Sequence, residues 1–304
     1  MNEKEQQLLV QSLRASAPPQ AQPSAFQAEL ERFPCTVRPV AVPVEGEPEV
    51  TIYLTVPRQV RPGAPVVVNY HGGGFLRGRS IRDEAFCRRL ACTFQCVVAD
   101  VDYALAPEHP FPTAVHQARA AALWAKAQAA GLGCDPNKVL LVGQSAGGNL
   151  VANICMEEAA APILSPLCAV ISYPPLDLKT DPAEKYHSPR DMDPQRARSY
   201  NALYCSPELA GDPRVSPLFA SPEQLAAFPP TLIITAGDDS LAPEGEEFAK
   251  HLAQAGVEVT CKRFPHCIHS FFISHLDAWE EALDLIRRFL EEGLRQAGSP
   301  SRLS

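Results

Sequence analysis

Val139-Leu140-Leu141-Val142-Gly143-Gln144-Ser145-Ala146-Gly147-Gly148-Asn149-Leu150 is an apolar run that breaks at Gly-x-Ser-x-Gly and then resumes with helical spacing. The part before the break is rich in Val and Leu, as a strand covered on both faces is, and Leu150, Val151 and Ile154 then recur at helical intervals. The stretch reads as strand, sharp turn and helix, with Ser145 on the turn. A side chain at Gly143 or Gly147 would collide where the strand bends into the helix, and the turn holds the serine oxygen clear of the backbone. Gly-x-Ser-x-Gly alone arises by chance in roughly one chain in ten of this length. Support has to come from the rest of the chain.

Upstream of this turn, Asp135-Pro136-Asn137 marks a break, and residues 113–130 form an alanine-rich helix ended by Gly131. Before these come a strand at 96–101, a helix from Asp83 to about Phe94, the run His71-Gly72-Gly73-Gly74-Phe75, and a buried strand at 65–70. Residues 36–43 and 49–56 are β-rich and are joined by Glu45-Gly46-Glu47-Pro48, which predicts an antiparallel pair at one sheet edge. Amphipathic helices over 4–15 and 24–33, separated by Pro18-Pro19, precede that pair. Downstream, strands at 168–173, 231–235 and 257–261 alternate with helices near 244–255 and 277–296. Repeated β-α-β order predicts the α/β class, with a mainly parallel sheet of about eight strands and helices on both faces. The segment between the strands at 168–173 and 231–235 is too long for an ordinary loop, so 175–215 reads as a helical insertion over the site. In an open parallel sheet, ligands bind beyond the carboxyl ends of the strands, where Gly74, Ser145, Asp239 and His269 all fall.

Composition narrows the classes. At 304 residues, 46% hydrophobic and 20% charged, one α/β domain with decorations is expected. The 27 basic and 35 acidic residues give a net charge of −8, and Lys and Arg never cluster beyond two in a row, which argues against nucleic acid as a partner. A polar start and the lack of any long apolar run predict a soluble, cytoplasmic protein that does not enter membranes. The ten cysteines include no Cys-x-x-Cys pair, and Cys96, Cys155, Cys168 and Cys261 sit in apolar segments, so buried free thiols are expected. The 30 prolines mark loops between elements.

Serine is a weak nucleophile at neutral pH. It needs a base in hydrogen-bond reach, an acid behind that base, and donors for the oxyanion that forms. The glycines after His71 let backbone N–H groups of Gly72 and Gly73 point at a ligand oxygen, and Ala146 N–H follows the serine directly. Of the eight histidines, His116, His251 and His275 lie on or near predicted helices, His187 in the insertion, His109 in a proline-rich loop and His71 in the glycine run. His266 and His269 remain, both expected in a loop after the last strand. The acid should follow the strand at 231–235, where Asp238 and Asp239 are both candidates. A metal cluster at His266-Cys267-Ile268-His269 fails on spacing and lacks a second ligand group, so no metal or cofactor is expected.

The chain resembles the hormone-sensitive-lipase-like family of α/β-hydrolase esterases over roughly residues 35–295. The resemblance rests on His71-Gly72-Gly73-Gly74-Phe75, Asp102-Tyr103-Ala104-Leu105-Ala106-Pro107-Glu108-His109-Pro110-Phe111-Pro112, Gly143-Gln144-Ser145-Ala146-Gly147-Gly148-Asn149, Asp212-Pro213-Arg214-Val215-Ser216-Pro217-Leu218 and His269-Ser270-Phe271. It implies an α/β-hydrolase fold with a helical cap, Ser145 as nucleophile, Asp239 of Asp239-Ser240-Leu241 as acid, His269 as base, and an oxyanion hole of Gly72, Gly73 and Ala146. Three positions depart from the family pattern: Gln144 where Asp or Thr is usual, Ala104 where Arg is usual, and Ser270 in place of a common Gly. Glu244 matches an acidic position that shapes a strand end in the family, although a plain carboxylate in a helix's first turn is the expectation preferred here. Aromatics at Phe75, Tyr186, Tyr200 and Tyr204 are expected to pack within the cap rather than line the site.

The expected organisation is a catalytic unit over 34–296 with cap segments 1–33 and 175–215 in the same single domain. The expected activity is hydrolysis of small, short-acyl carboxylic esters through an acyl-serine, by a monomer or homodimer. A binding protein on the same fold is the main rival, since plant gibberellin receptors resemble this family but lack the base, whereas His269 and Asp239 are both present here. A peptidase or amidase shares the same three residues.

Overall fold

Alternating apolar runs and amphipathic segments fold into one eight-stranded sheet in the computed structural model, which describes residues 3–16 and 19–298. The strands are β1 (Cys35–Val44), β2 (Glu47–Pro57), β3 (Ala64–Tyr70), β4 (Val97–Asp102), β5 (Cys134–Gln144), β6 (Cys168–Ser172), β7 (Thr231–Asp238) and β8 (Val259–Ile268). Their spatial order is β1-β2-β4-β3-β5-β6-β7-β8. β2 runs antiparallel to both β1 and β4, and every other pairing is parallel. The predicted antiparallel edge pair is thus β1 and β2.

The helices are α1 (Glu3–Ala15), α2 (Pro23–Arg32), α3 (Ile81–Phe94), α4 (Thr113–Gln128), α5 (Ala146–Glu157), α6 (Pro194–Tyr204), α7 (Pro222–Leu225), α8 (Ala242–Gln254) and α9 (Trp279–Gly298). α4, α5, α7 and α8 adjoin one another along one face of the sheet, while α3 and α9 cover the other. Being covered on both faces is why β3, β6 and the second half of β5 are wholly buried and mostly apolar, with Asn69, Gln144 and Ser172 the polar exceptions.

Two strands are longer than the apolar pattern indicates. β5 begins at Cys134, so the expected break at Asp135-Pro136-Asn137 is an irregularity inside it. There the register with β3 shifts between Ala64 and Val66, and Asn137 N–H donates to Asp135 Oδ1 at 2.9 Å. β8 runs on to Ile268, pairing it with Asp238 past a register shift in β7. Lys262, Arg263 and His266 are exposed on this edge strand, and their polarity ends the apolar signal early. His266 therefore lies within a strand and not in the loop expected for it.

The segment 175–215 is helical only in α6 and in short turns at Pro182–Glu184 and Pro207–Leu209. Pro194 at the first position of α6 and Asp193 before it, which accepts the N–H groups of Gln195 and Arg196, start that helix. The C-terminal end of α1 meets α6, with Tyr200 Oη donating to Leu13 O at 3.4 Å. Arg14 of α1 donates to the carbonyls of Leu76 and Ala106 at 2.9 and 3.0 Å. Of the two prolines expected to separate α1 from α2, Pro18 lies outside the described residues.

All ten cysteines are free, but the expectation of burial fails at Cys261, which is exposed on β8, and is met only in part at half-buried Cys35 and Cys92. Among the described residues no helix is long and apolar enough to cross a membrane.

Candidate active site

Ser145 sits between β5 and α5 at φ 52° and ψ −121°, a conformation that L residues rarely adopt. The neighbouring glycines make the bend feasible. A Cβ on Gly147 would stand 1.9 Å from Tyr70 O, and one on Gly143 would stand 2.2 Å from Gly147 O. Ser145 N–H donates to Ser172 O at 2.8 Å, which pins the turn to β6.

Loops from three strand ends meet at this serine. His269, just beyond β8, lies with Nε2 2.9 Å from Ser145 Oγ and Nδ1 2.7 Å from Asp239 Oδ2. Asp239, just beyond β7, is buried, and its Oδ1 accepts Leu241 N–H at 3.1 Å. With the carboxylate accepting at Nδ1, the ring proton resides there, and Nε2 is free to accept from the serine hydroxyl. Burial pushes the His269 imidazole down, but the charge and hydrogen bond of Asp239 outweigh it, helped by Asp191, and hold it above the ordinary histidine value. The loop that carries His269 is anchored by Phe271 and Phe272, both fully buried, while Tyr173 sets its ring edge-on to His269 with centroids 5.1 Å apart. Ser270 takes φ 59°, the left-handed region that explains why glycine is usual there.

The competing residues lie elsewhere. Asp238 accepts Ser188 Oγ–H at 3.0 Å and Arg190 Nη1–H at 3.3 Å, and so faces the cap. His266 is exposed on β8, and its carbonyl accepts Arg190 Nη1–H at 2.9 Å.

The glycine run folds over the serine. The Cβ position of Gly72 is 3.3 Å from Ser145 Cβ, and a side chain on Gly74, at φ 61°, would meet the Tyr200 ring at 2.5 Å. The N–H groups of Gly72, Gly73 and Ala146 have no acceptor among the described residues. His71 orients the run from beneath. It is buried, stacks on Tyr103 at 4.3 Å between centroids, and places Nδ1 2.7 Å from Gly72 O.

A cavity of about 480 Å3 opens above Ser145, His269 and Asp239. Leu178, Met192 and Ile273 form apolar wall, and Phe75, Tyr200 and Tyr204 line it too, with the rings of Phe75 and Tyr204 stacked at 3.7 Å. The sequence reading assigned these aromatics to packing within the cap. For Tyr200 and Tyr204 a usable signal existed: together with Arg196 they are spaced by four residues on α6, which puts them on one helical face. Tyr186 does not line the cavity and is exposed. Arg77, Arg82 and Arg196 also border it, and beyond the spacing of Arg196 nothing in the sequence singles them out.

Glu244, in the first turn of α8, does more than face a helix end. It is buried, accepts Leu176 N–H at 2.7 Å, and pairs with Lys185 Nζ at 2.5 Å, so it ties the loop after β6 to the cap. Burial raises its carboxyl to about 7 against the pull of Lys185.

Sheet order, the serine turn and the loops that meet above it define an α/β-hydrolase. A family described as alpha/beta hydrolase fold matches residues 67–273, and the chain belongs to it. The hormone-sensitive-lipase-like resemblance fits this assignment. The chain is similar to an arylesterase of Saccharolobus solfataricus, 34% identical over 209 residues, 68% of each chain. It is also similar to a carboxylesterase of Mycobacterium tuberculosis, 31% identical over 234 residues, covering 75% of this chain and 72% of that one. Among solved structures it resembles a hyperthermophilic esterase from the archaeon Pyrobaculum calidifontis, with TM-score 0.79, 30% identity, and coverage of 96% and 98%.

Proposed function

We propose that this protein is a carboxylesterase acting on small, short-acyl esters. The chain is a carboxylic ester hydrolase: His269 removes the proton of Ser145, and Ser145 Oγ attacks the ester carbonyl. Gly72, Gly73 and Ala146 N–H groups hold the oxyanion, and Asp239 steadies the imidazolium. Collapse of the tetrahedral intermediate passes the proton from His269 to the departing alcohol and leaves an acyl-serine. Water, activated by the same histidine, then releases the acid and restores the serine. No cofactor enters these steps. The observation that carries the reading is the unbroken hydrogen-bond chain from Ser145 through His269 to Asp239 at 2.9 and 2.7 Å. Because base and acid are both in contact, the same observation favours an enzyme over a binding protein.

Segments 1–33 and 175–215 act as cap pieces of a single domain whose catalytic part spans 34–296. The roofed cavity of about 480 Å3 supports small substrates. Ten cysteines without a disulfide support a reducing, cytoplasmic setting. Covalent labelling by an organophosphonate tests the assignment: the wild type should gain one adduct at Ser145, and Ser145→Ala should gain none. An adduct on the folded variant would overturn the choice of nucleophile.

A further inference from the structure

Three arginines stand around the catalytic cavity without an acidic partner. Arg77 follows the glycine run, Arg82 is in the first turn of α3, and Arg196 is on α6, so three separate elements bring them together. All three are half-buried. No carboxylate among the described residues forms an ion pair with any of them, although most other arginines have one, Arg190 with Asp238 and Asp277 among them. The remaining unpaired arginines among the described residues, Arg38, Arg58 and Arg61, are exposed to solvent, which solvates them without help.

What the cavity arginines do contact is neutral. Arg77 Nη1 donates to Ser16 O at 2.9 Å, Arg82 Nη1 to Ser274 Oγ at 3.0 Å, and Arg196 Nη2 to Ser16 Oγ and, at 3.4 Å, to Tyr200 Oη. Arg77 Nε is buried and has no hydrogen-bond partner among the described residues. Burial and the nearby charges of Arg82 and Arg196 push the Arg77 guanidinium down, against Tyr200, as expected when cations share a sheltered space. The carboxylates on the same wall are engaged locally. Asp83 accepts Ser80 N–H and Oγ–H, Asp191 accepts Ser240 N–H, Asp193 caps α6, and Asp239 holds His269.

A half-buried cluster of like charge is unfavourable unless something negative joins it. Guanidinium forks match carboxylate and phosphate oxygens. We infer that the substrate of this esterase carries an anionic oxygen group, carboxylate or phosphate, on its alcohol half, and that Arg77, Arg82 and Arg196 bind it. The alcohol side follows from position. Arg77 and Arg82 also line a second cleft, of about 700 Å3, that shares Gly72 and Gly73 with the catalytic cavity. Because Arg77 and Arg82 border both spaces, the inference puts the leaving alcohol on that side, while the acyl group stays on Ser145.

This inference rests on the esterase reading, and one set of assays separates the two. Wild-type kcat/KM is measured for phenyl acetate, 4-acetoxybenzoate, its neutral methyl ester, and 4-acetoxyphenyl phosphate. At low ionic strength one or both anionic esters should exceed the methyl ester by about tenfold or more, and salt should erode the preference. The better of the two anionic esters identifies the group. Arg82→Gln and Arg196→Gln should each shrink the ratio of anionic to neutral turnover mainly through a higher KM for the anionic ester, and Arg82→Lys should restore part of it. Turnover of the neutral esters with no preference for either anion, or a preference that survives in both Gln variants, overturns the inference and leaves the esterase intact. Failure of the wild type to cleave any of the four overturns the esterase reading itself.

Discussion

Replacing Asp239 by Asn alters one atom of the site yet should nearly silence it. Oδ1 of Asp239 accepts Leu241 N–H at 3.1 Å, and Oδ2 meets His269 Nδ1 at 2.7 Å. An amide in that place keeps its carbonyl toward Leu241, because the reverse would set donor against donor, and so its NH2 group faces Nδ1. Nδ1 must then accept, and the ring proton moves to Nε2, the atom that has to take the serine proton. Asp191 is the other carboxylate that bears on this ring, but it is engaged with Ser240 N–H at 2.9 Å and does not reach Nδ1. A wrong tautomer combined with loss of the stabilising charge costs about 10^4-fold in kcat, or about 5.5 kcal/mol of barrier. The assay is the burst of p-nitrophenol from p-nitrophenyl acetate, which reports acylation alone, with circular dichroism as a check on folding. A folded Asp239→Asn protein within about tenfold of wild type would refute the tautomer argument, as would an equal loss in Asp238→Asn.

Three further outcomes follow from the same geometry. Because only neutral His269 accepts the proton and its environment raises it above 6.5, kcat/KM should fall on the acid side with a midpoint above 6.5, and a midpoint at or below that value contradicts the contact with Asp239. Glu244→Ala strips the half-buried Lys185 of its counter-charge and leaves buried Leu176 N–H without an acceptor, so it should lower stability by about 2 kcal/mol in urea titration; a change under about 0.5 kcal/mol means the tie is idle. Across p-nitrophenyl esters, kcat/KM should peak between acetate and hexanoate, since each methylene adds about 0.8 kcal/mol only until the cavity is full. A profile still climbing at dodecanoate with activation at a lipid interface would overturn it.

The sheet is legible in the sequence where burial is two-sided, because long apolar runs collect there. Val66 to Val68 and Val139 to Val142 announce β3 and β5 for that reason. It fades where one side meets water: β8 alternates with Lys262, Arg263 and His266 and so reads as ending before it does. The residues that meet at Ser145 are legible because a strand end, a glycine turn and a fixed chain order constrain them together. His266 and His269 differ by three positions, yet the choice between them rests on the family resemblance, since the strand hides where its pairing stops. The cavity wall is illegible for another reason. Arg77, Arg82 and Arg196 look like ordinary surface cations, and only folding reveals that no carboxylate reaches them. Glu244 shows the same blindness, since a first-turn carboxylate has a sufficient local explanation and its partners, Leu176 and Lys185, arrive from distant loops.

Gln144, the departure next to the nucleophile, has a structural role that spans the sheet. Its Nε2 donates to Asn69 Oδ1 at 3.0 Å, Asn69 Nδ2 donates to Asp100 Oδ1 at 2.7 Å, and Arg79 Nε donates to Asp100 Oδ2 at 2.5 Å. Burial raises the Asp100 carboxyl above the usual carboxylate range, and Arg79 opposes that rise. Asn69 precedes the His71-Gly72-Gly73-Gly74 run and Arg79 follows it, so Asp100 on β4 grips the glycine loop at both ends. Gln144 then links that grip to β5, one residue before Ser145. A shorter Thr or Asp at 144 has less reach to Asn69 across the β3–β5 pairing. Oxyanion donors work only when their distance from the reacting carbonyl is set in advance, because the benefit lies in not having to reorganise during reaction. The four-residue chain ties the strand that ends at Ser145 to both ends of the loop that carries Gly72 and Gly73, and in the proposed mechanism it fixes that distance from beneath the cavity.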